Sequence, residues 1–125
     1  MREIKFRGYP IHNNPELLKR RRGIMKITIS DLTNDGTVIS TCDLFIENEH
    51  GTIANLKTDK SHLRHGFAKK VMTTAVKVAN ELRLKSISLR VLKNSFMREW
   101  YIRLGYKYFA EDTENENYEW LKKYI

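Results

Sequence analysis

The chain has 125 residues, of which 41% are hydrophobic and 30% charged, with a formal net charge of +8. This composition suits one soluble globular domain, residues 1–125, with a modest core, and it excludes a disordered chain; no apolar run approaches the roughly 20 residues that a membrane helix needs, so no membrane partner is expected. Cys42 is the only cysteine, so no internal disulfide can form. With an N-terminus lacking a signal-peptide core, that fits a reducing, cytoplasmic setting, and the positive balance favours polyanionic partners.

Residues 2–9 alternate, with Ile4 and Phe6 on one side, and read as a short edge strand. Asn14 then serves as an N-cap with Pro15 as the first helical residue; Leu17 and Leu18 give this short helix its apolar side, and Gly23 ends it. Its Lys19, Arg20, Arg21 and Arg22 have two readings: a solvated helix end whose cations complement the dipole, or a docking patch for an acidic protein or nucleic acid. Met25, Ile27 and Ile29 alternate in a strand over residues 24–32. Thr33-Asn34-Asp35-Gly36 is a hairpin turn, residues 37–46 return, residues 47–51 turn again, and a further strand covers 52–58.

The second half changes period. Phe67, Val71, Met72, Ala75, Val78, Ala79 and Leu82 recur at spacings of three and four, which predicts a long helix over residues 66–83. Residues 85–91 alternate as a strand. Asn94 is placed to cap a second helix whose inner side carries Phe96, Trp100, Tyr101 and Leu104, with Gly105 at its end. Strands follow over 106–109 and 118–125, joined by an acidic connection. The fold class is therefore α+β: a mixed twisted sheet with an N-terminal antiparallel meander followed by βαβαβ.

The stretch from His62 to Met72 carries the chemistry. A polar loop with His62, Arg64 and His65 runs into Gly66 and opens the long helix. Free backbone N–H groups and the positive end of the helix dipole at such a point favour a phosphate. No His/Cys/Asp cluster has metal-ligand spacing, so no metal is expected.

Taken together, these residues resemble the GNAT superfamily of acyl-CoA N-acyltransferases. The resemblance rests on a strand ending Leu56-Lys57-Thr58, the loop Leu63-Arg64-His65-Gly66-Phe67-Ala68, and the run from Val91 through Asn94, Trp100-Tyr101 and Leu104-Gly105 to Tyr106, in their joint spacing. Leu63 departs from the pattern, since the family usually places Gln or Arg there. The N-terminal half is also shorter than usual.

The resemblance implies an N-acetyltransferase that moves an acetyl group from acetyl-CoA to a primary amine, on a small molecule or a protein, by direct attack in a ternary complex. Arg64 to Lys69 would hold the pyrophosphate, and Leu56, Lys57 and Thr58 the pantetheine arm; Leu63 and Asn94 complete the expected cofactor contacts. Tyr101 occupies the family's general-acid position. In some members a Glu acts as base where this chain has Thr52. Of Glu47, Glu49, His50 and Asp59 nearby, His50 has the most suitable intrinsic pKa. The alternative reading is a catalytically reduced binding module on the same fold, docking an acidic protein or nucleic acid.

Overall fold

The computed structural model describes residues 24–125 in full and, before them, the backbone of Glu3–Pro10. The helix expected after Asn14, with its Lys19–Arg22 run, lies outside the described residues. The elements follow the order read from the sequence: β1 (Glu3–Pro10), β2 (Met25–Leu32), β3 (Val38–Glu47), β4 (His50–Thr58), α1 (Phe67–Glu81), β5 (Ser86–Leu92), α2 (Phe96–Arg103), β6 (Lys107–Glu111) and β7 (Tyr118–Tyr124). A single 3-10 turn, Lys60–His62, links β4 to α1.

The strands form one seven-stranded sheet in the order β1-β2-β3-β4-β5-β7-β6. The first four make an antiparallel meander, in which short hairpins return β2 to β3 and β3 to β4. At the Thr33–Gly36 turn, Gly36 takes φ +88° and the Asp35 carboxylate accepts the Thr37 N–H at 3.0 Å. The second hairpin is tighter than the sequence suggested: β3 runs to Glu47 and β4 starts at His50, so only Asn48 (φ +57°) and Glu49 form the turn.

Helix α1 crosses from β4 to the parallel strand β5 and lies on one sheet face. Its Val71, Met72, Ala75, Val78 and Ala79 are buried against Ile27, Ile29, Cys42 and Leu44 from the meander and Ile87, Leu89 and Leu121 from the later strands. Each large aliphatic side chain enclosed this way contributes roughly 1.5–3 kcal/mol. Gly51 of β4 lies tight against this core: a Cβ there would lie 2.8 Å from Leu44 Cδ1.

Helix α2 starts one residue later than Asn94 implied. Ser95 is the N-cap, its Oγ accepting the Arg98 N–H at 3.1 Å, while Asn94 takes φ +53° in the preceding turn. A short polar side chain tolerates that conformation, so Asn94 turns the chain and the neighbouring hydroxyl caps it. Strand β6 extends to Glu111, beyond the sequence reading, and ion pairs tie this end together: Arg98 to the buried Glu119, Lys93 to Glu111, and Arg90 to Asp112 at 3.0 Å.

Candidate active site at the carboxyl ends of β4 and β5

β4 and β5 pair in parallel only from His50↔Ser86 to Ile53↔Leu89. Beyond that rung β4 continues five residues to Thr58 and β5 three to Leu92 without pairing to each other. The strands diverge, and one side of the β4 backbone is left without a ladder partner. The other side stays on β3: Thr58 pairs with Ser40, and their hydroxyls lie 3.0 Å apart.

A bulge accompanies the divergence. Register on β3 passes from Asp43↔Ala54 to Thr41↔Lys57, so Asn55 and Leu56 together oppose the single residue Cys42. Asn55 adopts φ +57°, and alternation in the sequence gives no sign of it.

At the same end, the loop after β4 delivers the chain into α1. Arg64 (φ +64°) and Gly66 (φ +82°) are both left-handed. Gly66 is the N-cap of α1 and provides no side-chain cap; a Cβ there would meet nothing within 4 Å. The first intrahelical donor is the Lys70 N–H, bonded to Gly66 O at 3.1 Å. The N–H groups just before it face outward with the dipole's positive end. Upstream, hydrogen bonds from Ser61 and His62 hold the Asp59 carboxyl below the usual carboxylate range.

These features enclose a cleft of about 470 Å³. Eight of the residues expected to hold a cofactor line it: Leu56, Thr58, Leu63, Arg64, Gly66, Phe67, Ala68 and Lys69. Lys57, His65 and Asn94 do not, although His65 packs its ring 6.3 Å from Phe67. His62, read from the sequence as part of the same polar loop, also lines the cleft, its ring edge-on to Phe67 at 5.5 Å; sequence reasoning missed Phe96, Met97 and Trp100 from α2 as wall residues. Phe96 was expected on the inner side of α2 but is 74% exposed at the cleft. With Leu56, Leu63 and Phe67, these side chains make the wall largely apolar.

Tyr101 does not line the cleft. It is 8% exposed, with its ring 5.3 Å from that of the cleft-lining Trp100 and 6.1 Å from Tyr106. Burial pushes its phenol up to about 12. The neighbouring Cys42 thiol, also raised by burial, stands at about 12.

His50 is the first residue of β4, opposite Glu47, with Nδ1 2.7 Å from the Ser86 hydroxyl. With Phe45, Glu47 and Thr52 it lines a separate groove of about 360 Å³. Three residues of extended chain, about 10 Å, separate His50 from Ile53. No group of three or more His, Cys, Asp or Glu residues is placed to hold a metal among the described residues, and no described helix is long and apolar enough to cross a membrane.

Comparison with known proteins agrees with this fold. An acetyltransferase from Bacillus cereus ATCC 14579 superposes with a TM-score of 0.72 at 15% identity, over 92% of this chain and 96% of that one. The IAA acetyltransferase of the same organism gives 0.69 at 17% identity, over 98% and 100% of the two chains. The PaiA N-acetyltransferase from Thermoplasma acidophilum, solved in complex with coenzyme A, gives 0.69 at 17% identity, over 86% and 65%. A search among curated proteins finds no match. Residues 2–106 match the profile of the Acetyltransferase (GNAT) family, and the chain belongs to that family.

Proposed function

We propose that the protein is an N-acetyltransferase carrying acetyl from acetyl-CoA to a primary amine within a ternary complex. The observation that carries this reading is the coincidence, at one end of the sheet, of the Ile53↔Leu89 divergence with the uncapped mouth of α1. The pyrophosphate of CoA sits on the N–H groups entering α1, with Arg64 and Lys69 adding charge. The pantetheine arm runs along the unpaired side of β4 past Leu56 and Thr58, as an added strand would, against the apolar wall of Phe67, Met97 and Trp100. Leu63 supplies apolar surface where a side-chain contact to phosphate is usual, so backbone amides carry more of the phosphate binding.

The thioester then lies near the bulge, where backbone N–H groups polarise its carbonyl and stabilise the oxyanion. The amine attacks from the sheet face opposite α1, and the carbon–sulfur bond breaks to release the CoA thiolate. The departing sulfur reaches past the cleft wall at Trp100 to the buried Tyr101, whose hydroxyl donates a hydrogen bond to it. A phenol near 12 facing a thiol of about 8.5 makes complete proton transfer uphill by about 5 kcal/mol, so the tyrosine stabilises the thiolate without surrendering its proton. An ammonium of pKa about 10.4 costs about 4.6 kcal/mol to deprotonate at pH 7. His50 is too far along β4 to take that proton directly. Water along Thr52 relays it to the imidazole, which shares the same groove.

Titration calorimetry with acetyl-CoA and with CoA, followed by thiol release against a panel of polyamines and peptide amines, tests the proposal. Micromolar binding and amine-dependent release are expected. No heat with either nucleotide overturns it; binding without release from any amine overturns the transfer step and leaves the non-catalytic alternative.

A further inference from the structure

The carboxylate of Asp43 lies outside every role described so far, yet it is 9% exposed and engaged on three sides. Its Oδ1 accepts the Thr28 hydroxyl of β2 at 2.8 Å. Its Oδ2 accepts Asn55 Nδ2 of β4 at 2.8 Å and lies 3.8 Å from Lys26 Nζ. One side chain on β3 thus ties together the two strands flanking it. On the β4 side it grips the residue that makes the bulge.

That grip has a physical purpose. Asn55 is not glycine, and a left-handed conformation costs an L-residue roughly 1–2 kcal/mol. Asparagine tolerates it best, but nothing in the backbone alone keeps a bulge at this position of an otherwise regular ladder. The hydrogen bond to a charged acceptor is of the stronger kind and supplies a fixed anchor. Leu56, the other bulge residue, lines the cleft, and the bulge lies just past the last rung to β5. The orientation of the Asn55–Leu56 backbone toward the cleft therefore depends on the side chain that holds Asn55 in place.

We infer that Asp43 is a positioning residue: through Asn55 it fixes the β4 bulge so that the backbone amides there meet the thioester carbonyl. This rests on the acetyl-transfer reading. Asp43 touches neither the cofactor nor the amine, and its contribution is aim rather than proton transfer. The Thr28 bond matters for the same reason, since it stops the carboxylate from turning away from Asn55.

The test uses the full chain with [1-13C]acetyl-CoA and reads the carbonyl resonance of the bound cofactor. In the wild type the resonance moves downfield on binding, as a polarised carbonyl must. In Asp43→Leu, which keeps the branched shape and removes both acceptor oxygens, most of that displacement is lost and turnover falls about tenfold or more, while CoA affinity, set at α1, stays within about threefold. The swap Asp43→Asn with Asn55→Asp rebuilds the same bond with donor and acceptor exchanged, and keeps the displacement. Should Asp43→Leu fail to fold, Thr28→Val loosens the bracket more gently and gives a smaller loss in the same direction. A carbonyl resonance unchanged in Asp43→Leu or Thr28→Val, or a folded swap that loses the displacement, overturns the inference while leaving acetyl transfer standing. A wild-type protein that binds no acetyl-CoA sinks the transferase reading, and this inference with it.

Discussion

Ile53 and Leu89 form the last rung between β4 and β5, and both are buried in the core beneath α1. Their side chains anchor the two strands at the point where the backbones separate. The divergence is therefore built on packed aliphatic contacts, and the opening above it persists without a ligand to prop it. A cofactor entering there needs no strand separation, and only its own ordering opposes binding.

Tyr101→Phe separates catalysis from binding. Loss of the hydroxyl is expected to lower kcat about 10- to 100-fold. The Kd for CoA should stay close to wild type, because neither the mouth of α1 nor the cleft wall changes. Because burial raises the phenol to about 12, its ionisation does not reach the working range, and the wild-type rate should show no falling limb from this group up to about pH 10. Equal turnover in the variant would return Tyr101 to a packing role.

Arg64→Ala and Lys69→Ala should each weaken CoA binding about threefold to tenfold at low salt. The difference from wild type should narrow as ionic strength rises, since both side chains are exposed and screened. Calorimetry at two salt concentrations measures this. A loss that does not respond to salt would point to altered loop conformation rather than to charge.

Gly51→Ala should destabilise the protein by about 1–3 kcal/mol, the range for overfilling a packed core. The added methyl would meet Leu44 Cδ1 at 2.8 Å and Leu84 Cδ1 at 3.3 Å, and Leu44 is fully buried with little room to turn. Urea unfolding at neutral pH reads the change directly. A variant as stable as the parent would show that these leucines can move aside.

Asp112 gives a pH signature. Its carboxylate accepts from the Arg90 guanidinium and from Trp120 Nε1, each at 3.0 Å, and is held below the usual range mainly by the Arg90 hydrogen bond. A group whose folded pKa is depressed stabilises the fold above its unfolded pKa, here about 3.9, and that stabilisation disappears as pH falls through the folded value. The stability difference between wild type and Asp112→Asn should thus be constant near neutrality and shrink below about pH 4. A difference independent of pH would assign the effect to shape and not to charge.

Much of this arrangement could be read from residue order. Helical spacing from Phe67 to Ala79, alternation in β2 and β5, and the Asp35-Gly36 turn each follow from local physics, so element order and the helix mouth at Gly66 were accessible. The bulge was not. Asn55 interrupts no periodic pattern, and only the partnership with Asp43, twelve residues away, shows why it is left-handed. The apolar wall from α2 was hidden for a similar reason. Phe96 and Trp100 look like core residues by spacing, whereas an open cleft on that side lets large rings face a ligand. His50 looked close to the chemistry by chain count, but strand extension carries it away.

Cys42 offers a practical consequence. It is the only sulfhydryl in the chain, fully enclosed, and its proton is held up to about 12. A colorimetric disulfide reagent reacts with thiolates, so the native protein should add almost no colour of its own, and every equivalent of yellow product can be counted as liberated coenzyme. The same reagent added in denaturant should then titrate one equivalent per chain, giving an internal standard for enzyme concentration in the same cuvette.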